Sequence, residues 1–178
     1  MRKLTLYISI SLDGYIAEIN GGLEWLENFP NPKETDYGYQ EFYEKVDTLI
    51  MGGKTYRHIL DMCDKWPYPE KNTYIISHQP IESNKRGIHY LGENWLEEIK
   101  FIKDQKGQDI WLVGGGEIAS EMLNAGLIDT MIITEFPVLL GNGIPLYNPP
   151  FKKSQWSILR GRYYINGVTQ TEYGLKKE

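Results

Sequence analysis

Hydrophobic and polar positions alternate in short blocks from the first residues onward. Leu4-Thr5-Leu6-Tyr7-Ile8-Ser9-Ile10 alternates like a half-buried strand and is closed by Ser11-Leu12-Asp13-Gly14, where Asp-Gly marks a turn. Residues 13 to 35 carry glycine, asparagine and aromatic residues with little periodicity, and read as a long loop partly pinned by Trp25 and Phe29. Thr35 or Asp36 can then cap a helix whose stripe is Tyr39, Phe42, Tyr43 and Val46. Asp47 to Met51 is a short apolar strand running into Gly52-Gly53, and Lys54 to Met62 follows as a helix. Asn72 to Ser77 predicts a third strand and Ile88 to Leu91 a short edge strand. Glu93 to Lys106 is an amphipathic helix with Trp95, Leu96, Ile99, Phe101 and Ile102 on or near one face.

Asp109 to Val113 is again apolar and stops at Gly114-Gly115-Gly116, after which Glu117 to Leu123 is helix-forming. Thr130 to Phe136 predicts another strand, and Pro137 to Tyr147 a loop that carries apolar residues. At the end, Trp156 to Ile165 and Val168 to Leu175 are β-rich arms joined by Asn166-Gly167, a strong hairpin signal. Strands and helices alternating through the first two thirds imply an α/β fold, a mostly parallel sheet with helices on its faces, closed by an antiparallel C-terminal hairpin.

The 178 residues suit one compact domain spanning 1–178. A net charge of −5 argues against a duplex-binding or membrane-surface role. The single cysteine, Cys63, has no internal disulfide partner, the first apolar stretch reads as a strand rather than a signal peptide, and no apolar run approaches about 20 residues. These features lead to the expectation of a cytoplasmic protein.

The chemistry suggested by the pattern lies at the two strand–glycine–helix turns. Free N–H groups at a helix N-terminus, without side chains in the way, suit an anion such as a pyrophosphate. Gly52-Gly53-Lys54-Thr55 adds a cation and a hydroxyl suited to phosphate contacts, and Ser77 and His78 reach the same edge if their strand is parallel. The competing reading is two tight connections and a solvated first helical turn. Neither turn matches the G-x-G-x-x-G dinucleotide fingerprint or the P-loop. His58, His78, His89 and Cys63 lack metal-ligand spacing, so no metal is expected. Asp36 and Asp13 are the acids near the candidate pocket; Asp36 can serve as a proton donor or only as a helix cap, and Asp13 as a turn residue or a substrate contact.

Four segments in a fixed order carry a family resemblance. They are Ser11-Leu12-Asp13-Gly14-Tyr15-Ile16-Ala17, Val46 to Tyr56 with Met51-Gly52-Gly53-Lys54-Thr55, Trp111-Leu112-Val113-Gly114-Gly115-Gly116-Glu117, and Pro137 to Leu146. The chain resembles the dihydrofolate reductase-like superfamily, and within it the reductase domain at the C-terminus of the bifunctional riboflavin-biosynthesis deaminase-reductase. The resemblance covers nearly the whole sequence. It implies a three-layer dihydrofolate reductase-like fold, NADPH as hydride donor, a small heterocyclic substrate and a homodimer. Carried over by position, Gly52, Gly53, Lys54 and Thr55 would contact phosphates, and Ser77 and His78 would flank the adenosine. Val113, Gly114, Gly115, Gly116, Glu117 and Ile118 would line the pyrophosphate and ribose, with Ile16 and Ala17 closing over the nicotinamide. Val138, Leu139, Leu140 and Gly141 would lie by the substrate or at a dimer contact, and Asp36 matches the acidic substrate-binding residue of dihydrofolate reductases in its spacing to Met51-Gly52.

One position departs from the family pattern. Gly53 stands where the family commonly has an arginine that helps bind the 2′-phosphate, so NADH is not excluded, and Lys54, His78, Lys85 or Arg86 are the cations available to compensate. The implied activity resembles 5-amino-6-(5-phosphoribosylamino)uracil reductase of riboflavin biosynthesis, with a dihydrofolate or pterin reductase, or a non-catalytic dinucleotide-binding module, as alternatives. The sequence holds no His-x-Glu with Pro-Cys-x-x-Cys, the signature of the zinc deaminase half.

Overall fold

Alternation along the strands divides the apolar side chains between two faces of one sheet, and each face is covered by its own helices. In the computed structural model, which describes residues 1–81 and 86–176, the elements follow the predicted order. They are β1 (Leu4–Ser11), β2 (Tyr15–Ala17), α1 (Glu24–Glu27), α2 (Tyr39–Tyr43), β3 (Val46–Gly52), α3 (Gly53–Met62), β4 (Asn72–Ile76) and β5 (Ile88–Leu91). Then come α4 (Trp95–Asp104), β6 (Asp109–Gly114), α5 (Gly116–Asn124), β7 (Thr130–Phe136), β8 (Ile144–Pro145), β9 (Trp156–Tyr163) and β10 (Thr169–Leu175).

Eight strands form the main sheet in the order β5-β4-β3-β6-β1-β7-β10-β9. The six from β5 to β7 run parallel, and β10 and β9 are antiparallel additions at one edge. On one face Leu4, Leu6, Ile50, Ile110, Leu112 and Ile133 pack with Ile99 and Ile102 of α4 and Ala119 and Met122 of α5. On the other, Leu49, Met51 and Trp111 pack with Phe42 of α2 and Tyr56 of α3. The result is a three-layer α/β architecture with helices on both faces and a C-terminal antiparallel hairpin, the arrangement that the resemblance implies.

Local expectations differ from the structure in a few places. The helix expected to run through Val46 stops at Tyr43, and Val46 opens β3 with its backbone opposite Asp109. Burial of that β-branched residue in the sheet outweighs continuation of the helical stripe. Phe101 is 68% exposed, because the buried stripe of α4 is carried by Ile99, Ile102 and Lys103. The loop from 13 to 35 contains β2 and α1, and the loop from 137 to 147 contains β8, which pairs antiparallel with β2.

At the starting ends of the strands, the side chain of Lys103 is 3% exposed. Its Nζ donates to the Leu127 carbonyl at 2.6 Å and pairs with Asp129, whose Oδ2 also accepts the Leu4 N–H at 2.8 Å. One carboxylate thus ties α4 to β1 and β7. Asp129→Ala is expected to destabilise the fold by about 3 kcal/mol by leaving a buried ammonium unpaired, read as a lower urea midpoint with unchanged m value. Lys103→Met, which fills the same space without charge, is expected to cost far less in the same titration.

Candidate functional site

Because β3 and β6 are hydrogen-bonded neighbours running in parallel, the glycine turns at their carboxyl ends abut. The register shifts between Ile50 and Met51, so that Ile50 lies opposite Leu112 but Met51 opposite Gly114. A Cβ at Gly52 would lie 3.2 Å from Ile118 Cγ1 and 3.9 Å from both the Gly114 carbonyl oxygen and the Gly115 nitrogen. A Cβ at Gly115 would fill the space between Thr55 Oγ1 (3.5 Å) and Ile16 Cδ1 (3.8 Å). Bare backbone at Gly115 therefore leaves a cradle bounded by the first turn of α3 and by β2. The Gly114–Gly115 peptide is cis, and Gly116 begins α5.

Parallel pairing of β4 with β3 brings Ser77 to the same edge. A Cβ on Gly53 would approach Ser77 Oγ to 3.0 Å and Ser77 Cβ to 3.1 Å, so an arginine side chain at this position would have to displace Ser77. His78 and Arg86 are exposed, and Lys85 lies outside the described residues. Lys54 and Glu117 occupy equivalent places in the first turns of α3 and α5, and their side chains meet across the crevice with Nζ 3.4 Å from Oε2.

The short β2–β8 ribbon closes one side of this edge. Gly116 lies so close beneath it that a Cβ there would come within 2.2 Å of the Pro145 carbonyl oxygen, so only glycine fits. Ile16 lies beside the triple-glycine turn, and Ala17 pairs with Ile144 in the ribbon. Asp13 is exposed, and its carboxylate accepts Ser11 Oγ–H at 2.6 Å and the N–H groups of Leu140 (3.2 Å) and Gly141 (2.7 Å). These bonds, the Ser11 hydroxyl foremost, hold its carboxyl below the ordinary value. Asp13 therefore couples the end of β1 to the loop of Val138, Leu139, Leu140 and Gly141.

Asp36 is exposed and accepts the N–H groups of Gly38 (2.8 Å) and Gln40 (2.9 Å), the second of which lies in the first turn of α2. Those two donors, Gln40 first, hold its carboxyl below the ordinary range, which is the state of an acceptor. Its contacts lie with α2 and, electrostatically, with Arg162 of the hairpin, not with the glycine turns.

The long loop is organised around Phe136, the last residue of β7, a role its sequence position does not reveal. Trp25, Phe29 and Tyr37 each meet its ring edge-on, at centroid distances of 5.8, 5.2 and 5.5 Å. Tyr37, at φ 51°, is pinned by the C-terminal hairpin: Gln170 Nε2 donates to its carbonyl at 2.7 Å, and Asn166 Nδ2 to its hydroxyl at 2.7 Å. Asn166-Gly167 was legible as a turn, but nothing local to it indicates that its amide reaches across to Tyr37. A separate groove of about 250 Å3 on the α2 face reaches Lys3, Asp109 and Thr130, at the starting ends of their strands, and is not part of this edge.

Since the folded-state value of Asp13 lies below its unfolded one, its tether is present above the unfolded value and is lost as the pH falls through the folded one. Asp13→Asn removes one acceptor oxygen and the charge at all pH values. Faster amide exchange at Leu140 and Gly141 is expected in that variant at neutral pH, measured by hydrogen–deuterium exchange, with the glycine turns unchanged.

The family pattern described as the RibD C-terminal domain matches residues 69–169. Among curated proteins, the chain is 38% identical to the uncharacterized protein YwjB of Bacillus subtilis (strain 168), over 97% of each chain. Among solved structures, it is similar to a putative riboflavin biosynthesis protein from Shewanella sp. PV-4, with a TM-score of 0.88 and 31% identity over 98% of this chain and 99% of that one. It shares its fold with the dihydrofolate reductase from Enterococcus faecalis complexed with NADP(H), at a TM-score of 0.70 and 18% identity, covering 98% of this chain and 97% of that one. With that fold, those adjoining glycine turns and those matches, the chain belongs to the RibD C-terminal domain family, whose architecture is dihydrofolate reductase-like.

Proposed function

We propose that this protein is an NAD(P)H-dependent reductase of a small heterocyclic substrate, resembling the 5-amino-6-(5-phosphoribosylamino)uracil reductase of riboflavin biosynthesis, working as a cytoplasmic homodimer. The observation that carries the proposal is the meeting of two strand–glycine–helix turns at one carboxyl edge of the sheet, in a member of this family. The cradle beside Gly115, which a single Cβ would fill, fits the narrow backbone approach that a pyrophosphate needs. Gly52, Gly53, Thr55 and Gly116 would hold the phosphates through backbone N–H groups and one hydroxyl, Ser77 and His78 would flank the adenosine, and Val113 and Ile118 the ribose. No helix among the described residues is long and apolar enough to cross a membrane.

When bound, the dinucleotide supplies the hydride; the protein supplies orientation and exclusion of water. Ile16 and Ala17, held by the β2–β8 ribbon, would cover the reacting end. The loop from Val138 to Gly141, tethered through Asp13, would face the substrate. Reduction of a ribosylamino to a ribitylamino group adds hydride to carbon and a proton to nitrogen of an acyclic imine. Asp36 is the carboxylate proposed for the proton, and to serve it would have to release the backbone donors of α2. Edge strand β9, with Ile158, Leu159 and Tyr163 exposed, is the surface that a second copy would cover.

One observation favours a second reading. Asp36 and Asp13 are both occupied by backbone N–H donors and held low, so neither is poised as an acid, as suits a dinucleotide-binding module without turnover. Fluorescence titration with NADPH and NADH, followed by loss of reduced-nicotinamide absorbance against ribosylaminopyrimidines and dihydropterins, separates the readings. Turnover of a ribosylaminopyrimidine is the expected result; binding without reduction of any substrate would leave the module, and no binding would sink both. Gly115→Ala places a methyl at ordinary contact distances inside the cradle, so it is expected to fold with unchanged thermal midpoint while weakening dinucleotide binding roughly tenfold or more.

A further inference from the structure

Lys54 is an unusual choice for the first turn of a helix, where the positive end of the helix dipole disfavours a cation. Its compensation comes from the neighbouring helix. Glu117, in the first turn of α5, presents both carboxylate oxygens to Lys54 Nζ, at 3.5 and 3.4 Å. Both side chains are open to solvent, 81% and 70% exposed, so packing does not hold the pair in place and it can part at little expense. The pair spans the crevice between the two turns whose bare backbone forms the cradle at Gly115. It therefore puts one negative charge where the ligand's phosphates would be drawn, and engages the cation of the first turn of α3.

We infer that Glu117 is an internal counter-ion that competes with the dinucleotide's phosphates for Lys54 and so sets how tightly, and how selectively, this protein takes its dinucleotide. The inference rests on the dinucleotide reading of this edge. In the free protein Glu117 neutralises Lys54. On binding, a phosphate takes over the ammonium, and Glu117 remains beside it as a like charge. With Gly53 providing no cationic group, Lys54 has no neighbour on its own turn to offset that repulsion. The more highly charged NADPH meets more of it than NADH, so Glu117 narrows the preference between the two.

The test is a fluorescence titration of the full-length protein with NADPH and with NADH, for wild type, Glu117→Gln, Lys54→Met and the double variant, at low and high salt. Glu117→Gln is expected to tighten both ligands roughly two- to fivefold at low salt, with the larger gain for NADPH. The gain should shrink in high salt and be smaller in the Lys54→Met background, where the competition for the ammonium is gone and only the like-charge repulsion remains. Weaker binding by Glu117→Gln would show that the carboxylate serves the ligand, as an acceptor of a ribose hydroxyl, and would overturn the inference. So would an unchanged affinity, or a gain that survives undiminished without Lys54. If neither wild type nor any variant binds, the dinucleotide reading itself fails; if wild type binds and Glu117→Gln gains nothing, only the role of Glu117 does.

Discussion

The candidate site depends on one pairing, the parallel hydrogen-bonding of β3 to β6. Each strand ends in glycine and turns directly into a helix, and each turn alone is an ordinary connection. Laid side by side, they place two helix N-termini and a stretch of bare backbone at a single edge. The register shift sets Met51 opposite Gly114, and a Cβ on Gly52 would come into contact with the Gly114–Gly115 peptide. A wider separation would leave two isolated turns, neither able to hold an extended ligand. The polypeptide visits β4, β5 and α4 before returning to insert β6 between β3 and β1, and that crossover brings distant segments together.

Everything else around the edge limits its shape. The β2–β8 ribbon lies so close over Gly116 that the start of α5 tolerates no side chain there. Asp13 fastens the end of β1 to the loop after β7, so the two segments flanking the proposed substrate side are tied to each other. The Phe136 ring gathers Trp25, Phe29 and Tyr37, and the C-terminal hairpin fixes Tyr37 through Gln170 and Asn166. The antiparallel hairpin thus does more than close the sheet: it positions the loop that borders the site.

Two ion pairs at opposite ends of the strands show how burial separates structural from adjustable charge. Lys103 and Asp129 are enclosed and share backbone partners, so that pair organises the starting ends of the strands. Lys54 and Glu117 stand in solvent, where a long and exposed contact holds them only weakly. The same two residue classes therefore form an enclosed pair at one end and a solvent-exposed one at the other, and the difference is desolvation.

The sequence by itself determined the order of strands and helices, the parallel sheet with its closing hairpin, and the two glycine turns, because alternation, helical stripes and glycine act over a few neighbouring residues. It also allowed Asp36 as a helix cap; the N-cap position is taken by Gly38, and Asp36 meets the Gly38 and Gln40 N–H groups from two residues further back. Only the tertiary structure decided that Val46 belongs to a strand, that Phe101 faces solvent, that Asp13 binds Leu140 and Gly141, and that Glu117 answers Lys54. Each of these turns on a contact between segments far apart in the sequence. Such contacts follow from which strand lies beside which, and local pattern carries no information about the distance across a sheet.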